Sequence, residues 1–110
     1  MDASADEVMD IAREGHRAYE RGDYDEARRL FRIAADQGNT WAQSWLGFMY
    51  EKGRGVEKSD AEAYRWYRRA ADQGYAWAKR KLRGSVEKLR ELGIKYEFGH
   101  GVEQNTLKAR

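Results

Sequence analysis

Apolar residues recur along this chain at steps of three and four, the spacing that gathers side chains on one side of a helix advancing 100° per residue. Ala27, Leu30, Phe31 and Ala34 form one such stripe, and Tyr64, Tyr67, Ala70 and Ala71 form another. Ser4-x-x-Glu7, Thr40-x-x-Gln43 and Ser59-x-x-Glu62 fit the capping box, in which two side chains satisfy the orphaned amides that open a helix. Asp23-x-x-Glu26 marks a further start. Gly22, Gly38, Gly53, Gly74 and Gly99 mark stops, because glycine enters the left-handed conformation that ends a helix without a Cβ clash. The pattern predicts helices over about 4–21, 24–37, 40–52, 60–73 and 75–98, with a stub near 105–109. Gly38 and Gly74 are expected at positive φ, where the chain reverses between helix pairs.

The stripes belong to a repeat. Residues Leu30 to Leu46 align with Trp66 to Leu82 at an offset of 36, sharing Arg32/Arg68, the run AADQG at 34–38 and 70–74, Trp41/Trp77, Ala42/Ala78 and Leu46/Leu82. A second self-match sets Leu46 to Glu57 against Leu92 to Glu103 at an offset of 46, so ten extra residues lie between Leu82 and Leu92. A fixed period of this size means stacked helix pairs, each burying its apolar side against the next. All-α architecture follows.

Composition removes most other classes. The chain has 110 residues, 21 Lys+Arg against 19 Asp+Glu, no cysteine and no proline. Its length fits one domain, 1–110, and its 41% apolar and 13% aromatic content is too high for a disordered tail. Without cysteine there is no disulfide framework, thiolate metal site or cysteine nucleophile, and His16 and His100 have no partner at ligand or relay spacing. Neither a cofactor nor a metal is expected, and the chain is read as non-enzymatic. No apolar run approaches the roughly 20 residues of a membrane span, and the acidic N-terminus lacks a secretory pattern, so the chain as written is expected in the cytoplasm, away from membranes. Arg28, Arg29 and Arg32, with Arg65, Arg68 and Arg69 one repeat later, form a basic face interleaved with Trp66 and Tyr67. Glu26, Asp36, Glu62 and Asp72 sit on neighbouring turns, which favours an ion-paired surface over a phosphate track, so no nucleic-acid partner is expected. Gly53-Arg54-Gly55-Val56 and Gly99-His100-Gly101-Val102 follow no strand and precede no Lys-Ser/Thr, so they read as turns with Val56 and Val102 tucked between helices.

Residues Ala42 to Gly74, with LGFMYEKGRGV followed by AYRWYRRAADQG, resemble a Sel1-like repeat. Residues 15–34 resemble the related tetratricopeptide repeat, since they lack the glycine-valine turn, and 75–103 resemble a third Sel1 unit interrupted by the insertion. Units are thus expected at 4–38, 39–74 and 75–110, the last truncated. The resemblance implies a right-handed α-solenoid whose concave groove is lined by the first helix of each pair. It places Ala42, Leu46, Met49 and Tyr50 inside and turns Trp41, Ser44, Phe48 and Glu51, with Met9, His16 and Tyr19, toward a groove that accepts a protein, as a peptide or helix. Trp45 and Trp77 fit packing between repeats better, whereas Trp41 and Phe48 fit either role. The rival reading is a self-associating spacer or a designed scaffold without a natural ligand.

The insertion leaves an apolar stripe through Ala78, Leu82, Val86, Leu89, Leu92 and Tyr96, which predicts one helix of about 24 residues; the alternative is a break at Gly84-Ser85. Val86, Leu89, Leu92, Ile94, Tyr96 and Phe98 would then need a cover, and a second copy of the chain, giving a homodimer, is the simplest one.

Overall fold

The first four helices begin where a side chain takes up a free amide, whereas the fifth starts after Tyr75 with no side-chain cap. The computed structural model describes residues 4–93, and among them the chain forms five helices and no strand: α1 (Ala5–Glu20), α2 (Tyr24–Asp36), α3 (Thr40–Lys52), α4 (Asp60–Asp72) and α5 (Ala76–Glu91). Ahead of α1, Ser4 accepts from the Glu7 amide at 3.2 Å while the Glu7 carboxylate accepts from the Ser4 amide at 2.9 Å, a reciprocal capping box. Asp23 and Ser59 cap α2 and α4 in the same sense, accepting from the amides of Glu26 and Glu62. The third start differs from the expectation. Asn39, not Thr40, caps α3, accepting from the Ala42 amide at 2.7 Å, and Thr40 is already helical. Gln43 is thereby released from any capping role and turns inward, only 2% exposed.

Gly22, Gly38, Gly53 and Gly74 all take positive φ at the ends of the first four helices, with 92° at Gly38 and 93° at Gly74; Gly99 lies outside the described residues. Gly55, in the turn between α3 and α4, combines φ of 71° with a close approach: a Cβ there would stand 2.7 Å from the Tyr24 carbonyl oxygen. Val56 beside it packs on the core, and Val102 lies outside the described residues.

Successive helices pack against one another in chain order, α1 on α2, α2 on α3, α3 on α4 and α4 on α5, which makes the array a solenoid. The core is built largely of alanine, with Phe31, Leu46, Met49 and Tyr67 as its large members, each at most 1% exposed. Small residues let the backbones approach, and the few large side chains fill what remains. On the outer helices Arg29, Arg32, Arg65 and Arg68 pair with Glu26, Asp36, Glu62 and Asp72. Trp66 is buried beneath the guanidinium groups of Arg32 and Arg69, 5.4 and 4.4 Å from its ring centre, and is thus withdrawn from the basic face.

α5 runs unbroken through Gly84-Ser85 and stops at Glu91, with Gly93 at φ 78°, well short of the expected end at 98. Gly93 supplies the left-handed stop that the apolar spacing alone concealed. Residues 94–98, including Ile94, Tyr96 and Phe98, and the expected stub at 105–109 lie outside the described residues. Leu89 corrects the expectation of an open stripe: it is 2% exposed, because it continues the inward line of Ala78 and Leu82. Val86 is half-buried, and Leu92 remains 59% exposed.

Candidate functional site

The odd-numbered helices bring one aromatic surface together. His16 and Tyr19 on α1 meet α3, where Trp41, Trp45 and Phe48 follow at steps of four and three. The His16 ring lies 5.4 Å from Trp41 and 5.1 Å from Trp45; Tyr19 lies 4.7 Å from Trp45 and 6.4 Å from Phe48. Trp45 stacks flat on buried Phe31 at 5.6 Å and meets Phe48 edge-on at the same distance. Offset and edge-on contacts of this kind fix ring orientation beyond what area burial does. Five of these rings, His16, Tyr19, Trp41, Trp45 and Phe48, remain partly exposed.

Beside Trp41, Trp45 and Phe48 the chain opens a cavity of about 300 Å³, completed by Ser44 and by Tyr75 and Trp77 at the start of α5. It is a small, largely aromatic cleft of a size that takes one or two side chains. Ser44 forms its floor, but at 1% exposure and with its hydroxyl donating to the Thr40 carbonyl at 2.9 Å it leaves no free donor there. The residues expected in the groove therefore separate. His16, Tyr19, Trp41 and Phe48 form one strip. Met9 sits aside, its sulfur accepting from the Asn39 amide group at 3.4 Å. Glu51 lies one turn beyond Phe48, where its carboxylate accepts from the Tyr67 hydroxyl at 2.6 Å and pairs with Lys81 at 3.2 Å. His16 has Glu20 within 3.7 Å on its own helix.

Burial opposes the charge of Glu51, but the Tyr67 and Lys81 hydrogen bonds and the charges of Lys81 and Lys52 outweigh it, holding the carboxyl below its usual range. Burial and the same carboxylate push the Tyr67 hydroxyl upward, so Tyr67 stays protonated as a donor. Lys81 also stands 5.7, 5.9 and 5.6 Å from the ring centres of Phe48, Tyr67 and Trp77.

Trp45, Tyr75, Trp77 and Lys81 are absent from the sequence-derived site. Trp77 was within reach, since it repeats Trp41 after 36 positions. Trp45 does pack between repeats, as its spacing suggests, while its outer edge forms part of the cleft. Among the described residues no cluster of His, Asp or Glu could hold a metal ion, and no helix is long and apolar enough to cross a membrane.

The Sel1 repeat family model matches residues 13–39, 42–75 and 89–110, and the first of these segments contains the unit that reads closest to a tetratricopeptide repeat. A search of curated proteins gives no match. Among solved structures, the crystal structure of a Sel1 repeat protein from Oxalobacter formigenes is similar, with a TM-score of 0.64 and 36% identity over 68% of this chain. The present chain spans about a third, 32%, of that one.

Proposed function

The chain belongs to the Sel1 repeat family, whose helical repeats generally mediate protein–protein interaction and are generally non-enzymatic, and from that footing we propose that it binds a peptide or helix of a partner protein along the aromatic strip of its concave surface. The observation that carries this reading is the cavity of about 300 Å³ walled by Trp41, Trp45, Phe48, Tyr75 and Trp77. Rigid aromatic walls bury large areas with few rotors to freeze, which is why such residues dominate binding energy at interfaces. The ion-paired arginines of α2 and α4 speak against a nucleic-acid partner. In this reading residues 1–110 act as one module, with units 4–38, 39–74 and 75–110.

The test is selection of binding peptides from a displayed random library, followed by calorimetry on wild type and variants. Phe48→Ala is expected to weaken binding by about 1–3 kcal/mol with little change in melting temperature, because the ring lies at the edge of the core. Equal loss of affinity and stability would make Phe48 a packing residue and overturn the reading. Self-association through α5 is a second reading, supported by Leu92, which is 59% exposed.

A further inference from the structure

The seam between α3 and α5 changes character along its length. Trp41, Trp45, Phe48 and Lys52 on α3, and Trp77, Lys81, Gly84 and Lys88 on α5, advance by three or four and so keep to one side of each helix. The aromatic cavity occupies the first end. At the other, Glu51, Asp60, Arg80, Lys81 and Lys88 surround a second cavity of about 270 Å³.

This second end carries excess positive charge. Its two acids are already met: Glu51 by Tyr67 and Lys81, Asp60 by Lys58 at 3.4 Å and Lys88 at 3.9 Å. Lys52 stands 5.6 Å from the Phe48 ring centre, and Arg54 donates to the Tyr19 hydroxyl at 2.7 Å and stands 5.9 Å from the Tyr24 ring centre. Among the described residues Lys52, Arg54 and Arg80 make no ion pair, although Glu51 is adjacent to Lys52 in sequence and Glu20 lies at the α1 edge of the strip. α5 itself holds Lys79, Arg80, Lys81, Arg83, Lys88 and Arg90 against Glu87 and Glu91. Cations without an ion-pair partner, set along the edge of a desolvating apolar wall, favour a partner that brings carboxylates.

Resting on the groove reading above, we infer that the occupant of this seam is a peptide segment with an apolar anchor, seated among Trp41, Phe48 and Trp77, and acidic side chains three to four residues away that face Lys52, Arg54 and Arg80. The spacing follows from geometry. From Trp45, in the wall of the aromatic cavity, to Lys52 the helix rises about 10 Å, which an extended peptide covers in about three residues.

The test uses fluorescein-labelled peptides sharing a Trp-Leu core, with clusters of Glu, Gln or Lys three to four residues from it on both sides, plus a Glu peptide whose core is Ser-Ser. Binding is read by fluorescence polarisation at 50 and 300 mM salt. The Glu-flanked core is expected to bind at least about tenfold more tightly than the Lys-flanked one at low salt, with the gap narrowing at high salt. The variant Lys52→Gln/Arg54→Gln/Arg80→Gln should abolish that gap and leave binding of the Gln-flanked core within about twofold. These cations are exposed, and Glu51, which feels the charge of Lys52, keeps its contacts with Lys81 and Tyr67, so the fold should survive their loss. Equal binding of the three flanked cores would overturn the acidic preference and leave the groove reading standing. Equal binding of the Ser-Ser peptide would overturn the anchor, and failure of every Trp-Leu core to bind would overturn the proposal together with the groove reading.

Discussion

Gly74 sits at φ 93° with open space where a Cβ would stand, so alanine there meets backbone strain alone. Urea denaturation should show a cost of about 1 kcal/mol for Gly74→Ala. Gly47 lies inside α3, and its added Cβ would stand 2.7 Å from the fully buried Tyr67 ring. That ring cannot retreat while its hydroxyl holds Glu51. Gly47→Ala should therefore cost more, about 1–3 kcal/mol, and an equal or smaller loss would contradict the close packing of α3 on α4. The Glu51–Tyr67 contact also fixes a sign in the pH dependence. The Glu51 pKa is lower folded than unfolded, so its stabilisation is present above the ordinary glutamate range and is lost as pH falls through the folded value. Tyr67 works in reverse: its raised pKa favours the folded state until pH climbs past the ordinary tyrosine value near 10. Glu51→Gln should accordingly flatten the acid limb of the stability curve from the ordinary glutamate range downward, measured by denaturation at stepped pH. An unchanged acid limb would show that the contact does not persist in solution.

α5 offers a glycine substitution of opposite sign. Gly84 is in the helix interior, exposed, with ordinary φ and nothing within 4 Å of an added Cβ. Alanine raises helix propensity there and should stabilise the chain by about 0.5–1 kcal/mol, seen as a higher denaturation midpoint. Loss of stability would indicate a break at Gly84-Ser85. The buried amide of Gln43 joins other elements: its nitrogen donates to the Ala35 carbonyl at 3.1 Å, and its oxygen accepts from Gln73 at 3.0 Å. The end of α2, the body of α3 and the turn after α4 are thus tied by one side chain. Such a tie suits a solenoid, where adjacent units are held only by their shared interface.

For the whole molecule, the expected dimer stripe divides at Leu89. Leu89→Glu would place a carboxylate where the side chain is 2% exposed, so it should lower the melting temperature sharply, by the several kcal/mol that burying an unpaired charge costs. Leu92→Glu should leave the melting temperature nearly unchanged, and light scattering on wild type and this variant then reads any self-association through Leu92 separately from folding. A Leu89→Glu chain as stable as wild type would restore Leu89 to the surface. The sequence by itself determined the helical class, the repeat, all five helix starts within one residue of where they fall, and the glycine stops of the first four helices. These depend on contacts within a few residues: a cap reaching its third neighbour, a glycine adopting positive φ, an apolar stripe repeating every turn. The resemblance to a Sel1 repeat also put His16, Tyr19, Trp41 and Phe48 toward one groove, and the structure sets their rings side by side. Only the tertiary structure decided that Trp45, Tyr75 and Trp77 close the cleft with them, that Lys81 and Tyr67 take up Glu51, and that Gln43 and Leu89 turn inward. Those outcomes depend on the rotation and offset between successive helix pairs, which many side-chain contacts set together and no local spacing encodes.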